Sequence, residues 1–363
     1  MRTKYIAEMI IAMMMFTVTA EANVKFDIHR GVNIAHFLSQ SDLRGEARAN
    51  EFLPADIRQI ASWGYDHVRL PVDEEQMFLD NGEKNDTAFV LLHQTLDECF
   101  TNGLRVIVDL HILRSHYFVN LSGNPLFTQR EAQENYFECW RKLSEEMHQY
   151  PTDSLAYELL NEPQAENDDD WNRVATECYQ LVRRLEPDRI IVLGSNYGQQ
   201  LSRIPALAIP KDDPNIIISF HYYDPFLLTH YQAEWSPLGS YDGPVHYPGQ
   251  LVRDDEIDSI NEPWQTRIRY APKESKYFDK EAHRMNFLKG KEIADQYGLR
   301  IICSEWGCLR SDLKEERLRY LLDMTEVFDE LGIANTLWCY KEDGFGIVTP
   351  EGVDKQMLER LIK

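Results

Sequence analysis

Short, almost wholly apolar runs recur along the chain, separated by longer stretches in which apolar residues return every three or four positions. The first pattern suits strands buried on both faces of a parallel sheet, and the second suits helices with one face on a core. The apolar runs occupy 31–35, 67–72, 105–111, 156–160, 189–194, 215–223, 299–305 and 335–340. Helical periodicity covers 53–63, 91–100, 129–149, 171–185, 280–297, 314–331 and 354–362. Gly64, Asn102-Gly103 and Gly298 follow helix ends, and Pro151 forbids the third helix to run on. Strand and helix alternating through eight strands predict an α/β fold, a single (β/α)8 TIM barrel. A doubly wound open sheet is the competing architecture. It would carry a glycine-rich phosphate turn after its first strand, and Gly31-Val32-Asn33-Ile34-Ala35 leads into none.

One interval breaks the alternation. From Asp224 to about Phe278 no period holds, and Pro, Gly, Tyr and Trp are frequent. A loop this long in a compact domain is usually functional. No linker, repeat or composition shift divides the chain, so residues 23–363 read as one catalytic domain. Residues 1–22 read as an export signal. Arg2 and Lys4 give a basic start, Met9 to Ala20 is largely apolar despite the nearby Glu8, and Ala20-Glu21-Ala22 is a small-x-small cleavage site. An ordinary amphipathic terminal helix is the alternative. The apolar run is too short to span a bilayer, and the signal implies a secreted or periplasmic protein.

Of 363 residues, 43% are hydrophobic, enough for a sizeable core, and the formal net charge is −22. That field argues against nucleic acid or an anionic membrane as partner. The six cysteines, Cys99, Cys139, Cys178, Cys303, Cys308 and Cys339, are too scattered for a disulfide framework and read as core thiols. Cys303 and Cys308 lack zinc-ligand spacing and a histidine pair, so neither metal nor other cofactor is expected. A monomer is the expected state.

In a barrel, the carboxyl ends of the strands share one rim, where the chemistry lies. The fourth run ends in Asn161-Glu162-Pro163, because Pro163 removes a ladder donor and disfavours helix at Glu162. Asn261-Glu262-Pro263 repeats the tripeptide behind charged residues, with no buried strand leading in, and reads as a loop. The other strand ends supply Arg69, His111, His221, Tyr223, Glu305 and Trp338. Each has an ordinary structural explanation alone, but no packing rule sends all of them to one rim. Two carboxylates facing each other across it suggest glycoside hydrolysis, one protonating the leaving oxygen and one attacking the anomeric carbon. Arg69 would keep the nucleophile ionised and Tyr223 would orient it. Asn161 would reach the sugar 2-hydroxyl, and Trp338 would offer a face to a pyranose ring.

These residues resemble the retaining glycoside hydrolases of family 5 over nearly the whole mature chain. The resemblance rests on Val68-Arg69-Leu70-Pro71, Asp109-Leu110-His111, Asn161-Glu162-Pro163, His221-Tyr222-Tyr223, Ser304-Glu305-Trp306-Gly307 and Leu337-Trp338. It implies that Glu162 is the general acid/base, Glu305 the nucleophile, and a polysaccharide or oligosaccharide the substrate. His36 and His116 are further candidate sugar contacts. Among the family's β-glycan substrates, the segment 220–226 with Thr229-His230 and Glu234-Trp235 is similar to cellulase-like members, so an endo-β-1,4-glucanase is expected. Mannanase, xyloglucanase and β-1,3-glucanase stay open. In the long loop Phe226, Tyr231, Trp235, Tyr241, Tyr247 and Trp264 could stack on sugars, with Trp235 and Trp264 foremost, or simply pack the loop. Two other classes also remain, an inactive carbohydrate-binding barrel and a metal-dependent barrel hydrolase.

Overall fold

The structure, a computed structural model, describes residues 26–341 and 344–362; the expected export signal lies outside them. Eight parallel strands close into a barrel: β1 (Arg30–Asn33), β2 (His67–Val72), β3 (Arg105–Leu110), β4 (Leu155–Glu158), β5 (Ile190–Gly194), β6 (Ile216–Tyr222), β7 (Arg300–Trp306) and β8 (Ala334–Leu337). Each pairs with the next in sequence, and β8 pairs with β1. The helices around it are α1 (Pro54–Ser62), α2 (Asp86–Thr101), α3 (Arg130–Met147), α4 (Asp168–Leu185), α5 (Lys280–Tyr297), α6 (Lys314–Leu331) and α7 (Lys355–Leu361). The eight-stranded barrel expected from the alternation is present.

Strand residues alternate between two cores, as the pleat requires. Ile107, Ala156, Ile190, Val192, Ile217 and Ile302 fill the barrel interior, joined by Phe26 and Ile28 from the segment before β1. Val106, Val108, Tyr157, Ile191 and Ile218 face outward onto Trp140, Leu143, Val174, Val182 and Phe287 of the helices. Burying each such side chain contributes about 1.5–3 kcal/mol. Two of these contacts also set the end of β4. Tyr136 Oη and Trp140 Nε1 on α3 both donate to the Leu159 carbonyl, each at 2.9 Å, so the segment entering Asn161-Glu162 is held from behind. All six cysteines are buried and no disulfide joins them.

The crossover from β5 to β6 has no long helix, only Asn196–Gln199 and a 3-10 turn, Leu201–Ala206. Helix α5 closes over this gap. A Cβ at Gly290 would lie 2.5 Å from Leu201 Cδ1, so glycine there permits the close approach. The interval 224–278 is not structureless. It holds short helices at Phe226–Thr229 and Trp264–Arg269 and a two-stranded ribbon of Gly249–Gln250 with Tyr277–Phe278. Its own apolar contacts (Leu238, Tyr241, Leu251, Val252, Ile257) replace the helical periodicity absent from its sequence. Asn261, Glu262 and Pro263 lie exposed in it, with Glu262 accepting from Thr266 Oγ1 at 2.7 Å.

Candidate active site

Arg69, midway along β2 and wholly buried, organises the mouth of the barrel. Its Nε donates to Glu158 at 2.7 Å. Nη1 donates to Glu305 at 2.6 Å and Asn33 at 3.0 Å, and Nη2 reaches Asp109 and Asn161, both at 2.9 Å. Four of these contacts are hydrogen bonds and the fifth, to Asp109, is an ion pair; together they engage all three guanidinium nitrogens and fix the group in one orientation. Burial opposes its charge, but Asp109, Glu158 and Glu305 outweigh that and raise its pKa. Strand register brings these groups together, with Asn33 beside Arg69, Asp109 beside Glu158 and His221 beside Glu305.

Glu305 reaches the site through an irregularity in β7. Phe220 pairs with Cys303, yet the next residue, His221, pairs with Glu305, so one extra residue, Ser304, is inserted. Successive side chains on a regular strand point to opposite faces; the bulge lets Ser304 and Glu305 both turn inward. Ser304 Oγ meets Ser219 Oγ at 2.6 Å within the barrel, while Glu305 receives Arg69 on Oε1 and the Tyr223 hydroxyl on Oε2 at 3.0 Å.

Glu162 lies beyond the end of β4 with φ at 42°, a left-handed conformation that costs a non-glycine residue roughly 1–2 kcal/mol. Its Oε1 is 2.8 Å from His221 Nδ1, the same nitrogen that stands 3.6 Å from Glu305 Oε2. One oxygen of each carboxylate and that nitrogen lie within 4.8 Å of one another. Burial pushes the Glu162 carboxyl up to about 7, opposed by Arg69 and reinforced by Glu158. Its side chain keeps 20% of its surface exposed, so solvent and ligands reach it. Burial brings His221 down to about 4, which leaves it neutral near pH 7.

Asn161 Oδ1 accepts from Arg69, so its amide nitrogen points elsewhere. His111 binds Asp109 through Nδ1 at 2.6 Å and stacks on Trp338, ring centroids 5.9 Å apart. Trp338 reaches the rim, but only 6% of it is exposed, and Ala35, Ala233, Leu309 and Phe345 hold most of the indole. His36 is half-buried with Nδ1 3.0 Å from the Gln40 carbonyl, close enough to His111 to help lower its pKa after burial has done most of that. Arg69, His111, Asn161, Glu162, His221, Tyr223, Glu305 and Trp338 thus share one rim.

The remaining candidates differ. His116 is 1% exposed, edge-on to Phe127 and against the Glu162 backbone. A cavity of about 670 Å³ opens beside Glu162, lined by Tyr197, His221, Tyr223, Phe226 and Lys289 among others. Trp264 does not line it. Its indole packs edge-on to Tyr241, hydrogen-bonds Ser240 at 3.2 Å and borders a separate apolar cavity of about 280 Å³ inside the long loop. Trp235, 62% exposed, is not among the residues lining either cavity. Tyr231, Tyr241 and Tyr247 are buried, with hydroxyls spent on Gly243, Pro244 and Asp323. Of the six loop aromatics only Phe226, stacked on His230, lines the cavity beside Glu162. Phe226→Ala is therefore expected to lower efficiency on long substrates by roughly 10-fold, the loss of one stacking contact, and to spare short aryl glycosides. Trp264→Ala should lower Tm and leave that ratio unchanged, as chain-length kinetics with a thermal melt would show.

Four supporting residues escaped the sequence: Asn33, Asp109, Glu158 and Gln199. A charged residue inside an apolar run, as Glu158 is in Ala156-Tyr157-Glu158-Leu159-Leu160, must be paired, and that signal was readable. Gln199 lies in an irregular turn with no such mark.

The chain matches the family Cellulase (glycosyl hydrolase family 5) over residues 42–344. It belongs to that family. Endoglucanase C of Acetivibrio thermocellus is 27% identical over 321 residues, 87% of this chain and 92% of that protein. Cellodextrinase A of Ruminococcus flavefaciens is 27% identical over 311 residues, 85% and 84% of the two chains. In fold, the Cel5A enzyme of Thermotoga maritima, solved with mannotriose, matches with a TM-score of 0.72 at 21% identity, covering 93% of this chain and 98% of that one. The protein is a glycoside hydrolase.

Glu162, His221 and Glu305 offer a geometry that could also receive a cation. Their atoms are instead engaged by hydrogen bonds from within the site. Activity is accordingly expected to survive dialysis against a strong chelator. A loss reversed by added divalent ion would move this glycoside hydrolase to the metal-dependent class.

Proposed function

We propose that this glycoside hydrolase is a retaining endo-β-1,4-glucanase in which Glu162 is the general acid/base and Glu305 the nucleophile. The observation that carries the reading is the unequal company of two carboxylates whose nearest oxygens lie within 4.8 Å. So close an approach supports a retaining pair, whose carboxyl groups stand ~5–5.5 Å apart, and suits direct attack. Donors hold both oxygens of Glu305, from Arg69 and Tyr223, which orients it for attack. Glu162 has its pKa pushed up to about 7 and can hold a proton at neutrality. Neutral His221, carrying hydrogen on Nδ1, donates to Glu162 Oε1 and leaves the acid proton to Oε2. Asn161 Nδ2, turned away from Arg69, serves the sugar 2-hydroxyl, and His111 and Trp338 border the ring being cleaved.

The endo-glucanase choice is supported by the endoglucanase and cellodextrinase names of the relatives. An open cavity of about 670 Å³ beside the proposed acid supports it too, since leaving-group sugars need that space. The protein acts as a secreted or periplasmic monomer in this reading, the export rests on Arg2, Lys4 and the apolar run to Ala20, and neither nucleic acid nor membrane is a partner at a net charge of −22. Purified enzyme should be offered cellulose, mixed-linkage glucan, mannan, xyloglucan, xylan and β-1,3-glucan, with product lengths and the initial anomer recorded. Mixed cello-oligosaccharides released first as the β-anomer are expected. Preferential cleavage of mannan or β-1,3-glucan would overturn the substrate, and an initial α-anomer the mechanism.

A further inference from the structure

We infer that Gln199 is a positioning residue for Glu162, a buried strut that holds the backbone of the acid in place and ties it to the support of the nucleophile. This deepens the proposed function and rests on Glu162 being the acid. Gln199 is fully buried, between β5 and β6, and uses its whole side-chain amide. Oε1 accepts the Glu162 backbone N–H at 2.9 Å. Nε2 donates to Glu158 Oε1 and to Ser219 Oγ, each at 3.0 Å. A flipped amide would set NH2 against the Glu162 N–H and the oxygen against a carboxylate, so only one orientation satisfies these groups. The other oxygen of Glu158 holds Arg69 Nε, and Arg69 Nη1 holds Glu305. One chain of hydrogen bonds therefore runs from the acid's backbone to the nucleophile's carboxylate.

The surrounding chain is shaped for this side chain. A Cβ at Gly194 would fall 2.3 Å from Gln199 Nε2 and 2.5 Å from its Cγ and Cδ, so glycine there clears the path. Glu162 and Gln199 both have positive φ, at 42° and 54°, and neither is glycine. Two short-lived conformations in a free chain are held here against each other. Further bonds stitch the same two loops: Gly198 N–H to the Pro163 carbonyl at 3.1 Å, and Asn196 to both backbone groups of Ala165. These fix the loops as a pair, but among the described residues only Gln199 hydrogen-bonds both Glu162 itself and Glu158. Removing its amide frees the Glu162 backbone while Glu158 keeps Arg69 through Oε2, so the acid suffers before the nucleophile.

Leaving-group dependence separates this role from a general loss of structure. In Gln199→Leu, kcat/KM should fall on the order of 100-fold, the loss that a misplacement of about 1 Å produces, for a β-cellobioside whose leaving group needs protonation. The fall should be roughly tenfold smaller for dinitrophenyl β-cellobioside, whose leaving group does not. Gln199→Glu keeps an acceptor for the Glu162 N–H but sets a second carboxylate against Glu158. Below about pH 7, where wild-type kcat/KM is level, its activity should keep rising as pH is lowered, because protonating either member restores the donor. Equal losses on both substrates in a cooperatively melting Gln199→Leu would overturn the inference. If Gln199→Leu does not fold, a Gln199→Glu profile matching wild type does so. Glu162→Ala run in parallel distinguishes the two levels. If that variant also fails to discriminate leaving groups, the acid assignment itself falls; if it discriminates and Gln199→Leu does not, only the strut falls.

Discussion

Glu305→Ala is expected to lower kcat on polysaccharide by on the order of 10⁴- to 10⁶-fold, the range seen when a reacting group is removed from a hydrolase. The barrel should remain folded. Glu305 is held by Arg69 and Tyr223, and Arg69 keeps Glu158, Asp109, Asn33 and Asn161 when the carboxylate is gone. The vacated volume lies next to the anomeric carbon in the proposed pose. A small anion such as azide can enter it and attack from the same side with an activated aryl glycoside, giving a glycosyl azide inverted relative to the substrate. NMR of the product reads the stereochemistry directly. No azide rescue here, together with rescue in Glu162→Ala giving an inverted product, would exchange the two roles.

Glu162→Ala should show a different pattern. A positioned general acid contributes about 10²–10⁴-fold, and only where the leaving group needs its proton. Turnover of cellulose-like substrates is therefore expected to fall by that factor, while formation of the glycosyl-enzyme from dinitrophenyl cellobioside persists. The pH profile supplies a second reading. Glu162 must be protonated to act as acid, and burial pushes its pKa up to about 7. Wild-type kcat/KM should hold below that value and decline about tenfold per unit above it as the proton is lost. His221, brought down to about 4, stays neutral through this window and does not produce the limb. The limb at about 7 should vanish in Glu162→Ala measured with the activated substrate. If it persists there unchanged, another group, such as Asp109, also pushed up to about 7 by burial, is responsible.

The barrel and the address of its chemistry were legible because both follow from local rules. A buried parallel strand must be apolar along its length, so polar residues at its carboxyl end stand out. Arg69, His111, Glu162, His221, Glu305 and Trp338 were all visible that way. The long loop was recognised by its length, but the part each of its aromatics plays stayed open. Its aromatics look alike in sequence, yet Tyr231, Tyr241, Tyr247 and Trp264 pack the loop and Phe226 alone meets the cavity beside Glu162. Stacking on a sugar and stacking on a neighbour ask the same thing of a side chain, so composition cannot separate them. His116 stayed open for a similar reason, since nothing in a histidine's sequence context tells a cleft wall from a buried support.

By itself, then, the amino-acid pattern determined the strands, the closure they imply and the pair of carboxylates, because hydrophobic period and chain-breaking residues act over a few neighbours. Only the tertiary structure decided how those carboxylates differ. The bulge at Ser304 turns Glu305 inward beside His221, and the left-handed Glu162 is held by Gln199 from another crossover. Arg69 binds groups from β1, β4, β7 and the segment after β4 by hydrogen bonds and Asp109 of β3 by an ion pair. Charge, burial and hydrogen bonds at one point in space are sums over residues far apart in the chain, and the raised pKa of Glu162 is such a sum.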